Sequence, residues 1–346
     1  MPDPNRKFSW FPPIDNLLQL PVVLGQVKSF RANKVIGNPD LNARGLHRWR
    51  VEAAWRLAEK RRSRLRSQLD PSDAEALDRD GFVIKPDFLD PEIFRMVREA
   101  VYAKPLPARE MRQGQTVTRI FPLGGRALAP VRRLARRKEL KALMSYAAGR
   151  SGTPHFLIQS VLADPTHPTE DPQTTLHSDT FHPTSKLWFF LHDVGPDEGP
   201  FVYVPGGHQP TAARLDWEYR QSLSARSDAR QLHSLGSFRT TESELHDLGY
   251  QAPRKVAVKA NTLVVANTYG FHCRSESAKP TTRVELYGSL RRNPFLPWNG
   301  LDPKALFGIW QVDAYFLGLG LMEKLFSKDR KWKSAGRIDV ESPPLR

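Results

Sequence analysis

The chain holds 346 residues, 40% of them hydrophobic, enough for a substantial core in one large domain with extensions or in two small domains. Its single cysteine, Cys273, excludes an intramolecular disulfide and Cys-rich zinc sites, and it fits a reducing compartment. A formal net charge of +15 is large for an enzyme of small molecules and points to an anionic partner: an acidic substrate, a membrane surface or nucleic acid.

Much of the excess charge lies at the front, where residues 1–69 carry 14 Lys and Arg against 5 Asp and Glu. No secretory signal is read there, because the Met1-Pro2-Asp3-Pro4 start and scattered prolines interrupt any apolar run. The apolar stretches at 17–27 and 314–322 fall short of the roughly 18 to 20 residues that a bilayer span needs. The expectation is a cytoplasmic protein, peripheral on the inner face of the cytoplasmic membrane if it meets a membrane at all. A helix over 41–69 interleaves Trp49 and Trp55 with Arg48, Arg50, Arg56, Lys60, Arg61, Arg62, Arg64 and Arg66. That pattern suits a helix lying on anionic headgroups, and it also suits one packed on the core with a solvated basic face. Phe8-Ser9-Trp10-Phe11 and the run over 17–24 give it an apolar lead, so 1–69 reads as a basic, aromatic extension.

Behind the extension, Ser72-Asp73-Ala74-Glu75 is a capping box that opens a helix, and a strand follows over 81–85. Asp90-Pro91-Glu92 supplies the cap and first-turn proline of a helix running to Ala103. A basic cluster over 109–138 includes Arg112, Arg119 and Arg126, candidates to meet carboxylate or phosphate groups on a substrate. Residues 134–147 read as a helix. Strands are expected over 155–162, 187–193, 201–205, 255–258, 262–266 and 283–291. Residues 209–254, charged and polar, read as an insertion over the mouth of the strand-rich core, where it would gate the substrate. The C-terminal stretch 296–346 pairs apolar, aromatic segments at 307–310 and 315–322 with a cationic one.

His177-Ser178-Asp179 is the one His-x-Asp in the chain. Residues i and i+2 of an extended strand share a face, so this imidazole and carboxylate can grip one metal ion. A second histidine, His272, follows the apolar run 263–266, and Arg283 comes eleven residues later. Two imidazoles and one carboxylate form the facial triad of non-haem Fe(II) oxygenases, which leaves three positions for a keto acid and dioxygen. The keto acid's far carboxylate then needs a fixed cation, and the planar fork of Arg283 can pair with it bidentately. Plainer readings stand beside these: a strand-edge ion pair for His177 and Asp179, a core histidine for His272, a glutamate partner across the sheet for Arg283. Cys273, one residue past His272, would point to the opposite face of its strand.

The chain resembles the phytanoyl-CoA dioxygenase-like family of Fe(II)- and 2-oxoglutarate-dependent oxygenases over residues 72–293. The resemblance runs through Asp78-Arg79-Asp80-Gly81-Phe82, Phe88-Leu89-Asp90-Pro91-Glu92, Leu176-His177-Ser178-Asp179 and Lys186-Leu187-Trp188-Phe189-Phe190-Leu191-His192-Asp193. It continues in Asp197-Glu198-Gly199-Pro200 and Pro205-Gly206-Gly207-His208 and closes with His272 and Arg283. It implies a mainly β fold with flanking helices around a double-stranded β-helix, or jelly-roll, core, here over 70–295. It implies that His177, Asp179 and His272 hold Fe(II), that Arg283 binds the 2-oxoglutarate carboxylate, and that Gln159 and Trp188 line the cosubstrate pocket. Where the family often has serine two residues past the distal histidine, this chain has Arg274, a cation that could reinforce the cosubstrate site or reach an acidic substrate. The retained Asp179 implies hydroxylation with O2, because related halogenases replace that carboxylate.

Charge and resemblance together suggest a hydroxylase of an anionic, membrane-associated lipid or lipid-linked sugar. Hydroxylases of Kdo, the acidic inner-core sugar of lipopolysaccharide, are a specific instance. The same chemistry on a soluble acyl-CoA, amino acid or natural product is the alternative. From another class comes a non-catalytic protein on a degenerate fold that binds anionic membranes or nucleic acid, although no zinc finger or RNP-type aromatic motif supports nucleic acid.

Overall fold

The computed structural model describes residues 20–296, 302–326 and 331–345, so the apolar lead over 8–19 lies outside the described residues. The larger layer is an antiparallel sheet of β1 (Phe82–Lys85), β2 (Leu106–Gln113), β3 (Thr116–Phe121), β4 (His155–Ala163), β5 (Ser185–Phe190), β8 (Leu263–Asn267), β10 (Thr281–Leu290) and β11 (Lys333–Ile338). Their order is β1-β8-β5-β10-β4-β3-β2-β11. A smaller sheet, ordered β7-β6-β9, joins β7 (Arg254–Val256), β6 (Phe201–Tyr203) and β9 (His272–Arg274). The two sheets form the expected jelly-roll core.

Strand alternation divides the apolar residues between two cores. On β5 and β8, Leu187, Phe189, Leu263 and Val265 join the core beneath the helices, while Trp188, Phe190, Val264 and Ala266 pack with Phe201 and Tyr203 of the smaller sheet. The helical cover comes from α4 (Pro71–Arg79), α5 (Pro91–Tyr102), α6 (Ala129–Ala135) and α7 (Lys138–Ala147). The cap of α4 differs from the expected box: Asp70 accepts from the Ser72 amide and Pro71 occupies the first turn, the same device that Asp90 and Pro91 provide for α5. Between α4 and β1, Gly81 has φ +84°, and a Cβ there would lie 2.4 Å from His208 Nδ1 and 2.5 Å from the Tyr203 hydroxyl. Glycine in the Asp80-Gly81-Phe82 motif is therefore required by backbone conformation and by close packing.

The basic N-terminal segment packs against the core. It forms α1 (Leu20–Val23), α2 (Pro39–Ala43) and α3 (Leu46–Leu65), the last buried along Leu46, Val51, Ala54, Ala58 and Leu65. Several of its cations are tied to carbonyls: Arg50 donates to Val23, Gly25 and Val27, Arg61 to Pro294 and Leu296, and Arg62 to Tyr146 and Ala147. Trp49 stacks on Phe295 and Trp55 packs against His208 and Tyr269. Neither tryptophan is free to sit among headgroups, so of the two readings of this helix the packed one is observed.

The insertion over 209–254 contains α8 (Ala212–Ser224), α9 (Gln231–Ser234) and α10 (Glu242–Asp247). It does not cover the barrel mouth. Trp217, Phe238, Leu245 and Leu248 instead pack on Val202, Val204, Phe271 and Cys273, the outer side of the smaller sheet. The apolar side chains between its polar runs have only that face to cover. Four strands lie outside the expected ranges, β2, β3, β9 and β11. The hairpin β2–β3 turns at Gly114, and β11 pairs with β2 at the sheet edge. A last helix, α11 (Gln311–Phe326), precedes β11.

Candidate functional site

His177 and His272 are placed by a single bridge between two extended segments, in which each amide donates to the other residue's carbonyl at 2.9 Å. The following turns are pinned as well, Ser178 N donating to Phe238 O and Asp179 N to Thr268 O. The two imidazole centroids are 4.6 Å apart. Asp179 Oδ1 lies 3.8 Å from His177 Nε2 and 3.7 Å from His272 Nε2. One ligand atom from each of the three lies within 4.8 Å of the others.

Both imidazoles are oriented from behind, His177 Nδ1 against the Thr175 carbonyl at 2.7 Å and His272 Nδ1 against the Gly270 carbonyl at 2.9 Å. A carbonyl only accepts, so each Nδ1 carries its ring's proton and each Nε2 presents a lone pair toward Asp179. His272 Nε2 is buried with no hydrogen-bond partner in the protein, which is costly unless another group fills the space. Two imidazole nitrogens and one carboxylate oxygen converging there fit a divalent iron.

The charges are set for a cation. Burial pushes His272 down to about 4, against the pull of Asp179, and burial followed by repulsion from His272 holds His177 well below its ordinary value. Both rings are therefore neutral ligands at pH 7. Burial alone would raise the Asp179 carboxyl, but the Lys186 ammonium, joined by the two imidazoles once acid protonates them, outweighs it and holds it far below the carboxylate range. Lys186 Nζ sits 2.7 Å from Asp179 Oδ2, so the second carboxylate oxygen is occupied and Oδ1 faces the histidines. Lys28, from the N-terminal segment, donates to the Asp179 carbonyl, and burial pushes its ammonium down to about 8.

The trio opens into a cavity of about 570 Å³. Gln159, Trp188, Arg274 and Arg283 all line it. Arg283 forms an ion pair with Glu285 at 2.8 Å and donates to the Gly199 carbonyl. The glutamate is two residues along its own strand rather than across the sheet. Arg274 donates to the buried carboxylate of Asp171 at 2.8 Å. Cys273 packs in the core outside the smaller sheet, as alternation required.

Three sequence candidates are not in the cavity. Alternation along β2 and β3 turns Met111, Gln113, Thr118 and Ile120 inward, and with them Arg112 and Arg119 outward. Arg119 is fully buried on that other side, paired with Glu110 and donating to the carbonyls of Ser342 and Pro343. Arg126 lies exposed in a turn before α6. Conversely, Lys186, Tyr287, Gln311, Tyr315 and Trp332 line the cavity without having been foreseen. Lys186 was legible, since it stands two residues before Trp188 on one strand. No local pattern marked the C-terminal residues.

Residues 77–235 match the family described as phytanoyl-CoA dioxygenase (PhyH). Over that stretch, a little under half of its length, this chain resembles the family. It is an Fe(II)- and 2-oxoglutarate-dependent oxygenase with a His-Asp-His triad. The match takes in His177 and Asp179, while His272 and Arg283 lie beyond it and are joined to them by the fold of the chain. No curated protein matches the sequence. Among solved structures, the epimerase SnoN in complex with Fe3+, alpha ketoglutarate and nogalamycin RO is 21% identical, with 68% of this chain and 94% of that chain covered and a TM-score of 0.43. HygX from Streptomyces hygroscopicus with nickel, 2-oxoglutarate and hygromycin B is 14% identical, covering 64% and 86%, with a TM-score of 0.42. EctD from S. alaskensis with 2-oxoglutarate and 5-hydroxyectoine is 14% identical, covering 64% and 76%, with a TM-score of 0.41. Among the described residues no helix is long and apolar enough to cross a membrane.

Proposed function

We propose that this oxygenase hydroxylates an anionic amphiphile, a lipid or lipid-linked sugar, and that the residues over 70–295 form its catalytic domain with 1–69 and 296–346 as extensions. His177 Nε2, Asp179 Oδ1 and His272 Nε2 hold the iron; the buried, unpartnered Nε2 of His272 is the observation that carries this reading. Iron bound there supplies oxygen activation coupled to oxidative decarboxylation of 2-oxoglutarate to succinate and carbon dioxide. Arg283 pairs with the far carboxylate of 2-oxoglutarate, and Gln159 and Trp188 shape its pocket. Lys186 holds Asp179 by one oxygen, which keeps it a one-point ligand. An aspartate at this position favours hydroxylation over halogenation.

The lining of the cavity supports this substrate class. Lys186, Arg274 and Arg283 line the cavity together with Met111, Ile120, Leu157, Val312, Tyr315 and Trp332. With Lys186 held by Asp179 and Arg283 given to 2-oxoglutarate, Arg274, shared with Asp171, is the lining cation that would meet an acidic head, and the apolar side chains suit an apolar portion. Kdo of lipopolysaccharide is an acidic head of this kind, and the enzyme would meet it at the cytoplasmic face of the membrane. Mass spectrometry of membrane lipids and glycolipids from cells with and without the gene tests the proposal. A one-oxygen difference on an acidic lipid or its sugar is expected; a difference confined to soluble metabolites would move the substrate to that class.

A further inference from the structure

More than half of the large hydrophobic side chains that are exposed among the described residues fall between 306 and 322. Helix α11 has two apolar faces. Val312, Phe316 and Leu319, at i, i+4 and i+7, turn inward, with Val312 and Phe316 packed on Ile120 and Leu157 beside the cavity. Leu317 and Leu321, at i and i+4, point the opposite way and are 76% and 61% exposed, and Trp310, in the turn just before the helix, is exposed as well. Leu306 and Phe307, in the turn before the helix, are exposed at 88% and 54%. A helix apolar on both sides is not finished by its own fold.

One cation borders this outward face, and others are exposed on and beside its helix. The Arg132 guanidinium lies over the Trp310 ring at 5.2 Å. Arg132 belongs to α6, and that helix and its flanks expose Arg126, Arg133, Arg136, Arg137 and Lys138. A second copy of the chain would bring two such rims together in a molecule of net charge +15, which opposes self-association. A bilayer with anionic headgroups complements both features, because leucine and tryptophan enter the acyl boundary while arginines stay at the phosphates. The helix is too short to span, so it lies in the plane of the surface.

We propose that α11 and the turn before it dock this enzyme on an anionic phospholipid bilayer. The same helix supplies Gln311, Val312 and Tyr315 to the cavity wall, so docking sets the cavity against the membrane. The proposal deepens the reading of the substrate as a membrane-borne amphiphile, and rests on it for that purpose.

The test sediments the full-length protein with vesicles of equal parts phosphatidylglycerol and phosphatidylcholine, and with phosphatidylcholine alone, at low and high ionic strength. Wild type is expected in the pellet with the mixed vesicles at low ionic strength. The double variant Leu317→Asp/Leu321→Asp is expected to lose about tenfold or more of that partition, and Arg133→Glu/Arg136→Glu to lose part of it. Both leucines are exposed, so the core is untouched; the absorbance of the anaerobic Fe(II) and 2-oxoglutarate complex verifies that each variant is folded. Wild type left in the supernatant with mixed vesicles would overturn the proposal, as would a double aspartate variant that still binds. A wild-type dimer split by those aspartates, with vesicle binding unchanged, would assign the face to a second copy. Absence of the iron complex in wild type would instead overturn the oxygenase site, whatever the vesicles show.

Discussion

His177 and His272, 95 residues apart, form a closed hydrogen-bonded pair, each amide donating to the other's carbonyl at 2.9 Å, with both rings on one side. Residues so paired in antiparallel backbone direct their side chains to the same face, and here that face also receives Asp179. The geometry of the metal site is thus a consequence of sheet pairing, and the ligands are pre-positioned rather than gathered by the metal.

Removing either imidazole should abolish metal-linked stabilisation. With Ni(II) in about hundredfold excess over its dissociation constant, binding stabilises wild type by about 2.7 kcal/mol, or roughly 2–4 °C in melting temperature. His177→Ala and His272→Ala should show no such rise. A rise equal to wild type in either variant would remove that histidine from the ligand set.

Arg283→Lys should raise KM for 2-oxoglutarate about tenfold or more, because a point charge replaces a two-point fork. Arg283→Ala should in addition destabilise the fold by about 3–5 kcal/mol, because Glu285, fully buried, loses its ion-pair partner. Titrating initial rates against 2-oxoglutarate, together with urea unfolding, separates the two effects. An unchanged KM in the lysine variant would take Arg283 out of cosubstrate binding.

Arg119 should matter to stability alone. Arg119→Ala leaves Glu110 without its partner and frees the C-terminal carbonyls, at a cost of about 3 kcal/mol or more. The fraction that folds should keep wild-type KM for both substrates. A large rise in substrate KM without loss of stability would contradict its position outside the cavity.

The metal-free protein should be acid-labile through its buried histidines. Burial pushes His182 and His208 down to about 3 and His233 and His272 to about 4. The unfolded chain takes up protons near 6.5 that the folded chain refuses. Stability is therefore full above pH 6.5 and falls as pH drops toward 4, by up to about 1.4 kcal/mol per unit for each such ring. The urea midpoint measured at pH 7.5 and pH 5 should move down; a flat or rising midpoint would mean that these rings protonate in the folded state. Metal affinity, by contrast, should vary little from pH 7.5 to about 5.5, since His177 and His272 are already neutral.

The sequence by itself determined the chemistry. His177 and Asp179 could be read as ligands because strand alternation is local, and the motifs from Asp80-Gly81 to Gly207-His208 carried the resemblance that implied the jelly-roll core. The expected strands from 81–85 to 283–291 correspond to observed ones for the same reason: apolar alternation and turn residues act over a few positions. Tertiary structure decided what depends on pairing. Whether Arg119 or Thr118 faces the cavity is a matter of register, which one residue of slip would invert. The hairpin β2–β3 stayed hidden because Arg109, Glu110 and Arg119, charged yet buried, broke the apolar pattern, each satisfied by partners distant in the chain or across the hairpin. The far wall of the cavity comes from Gln311, Tyr315 and Trp332, residues with no local signal, because a cavity is bounded by whatever the fold brings near it.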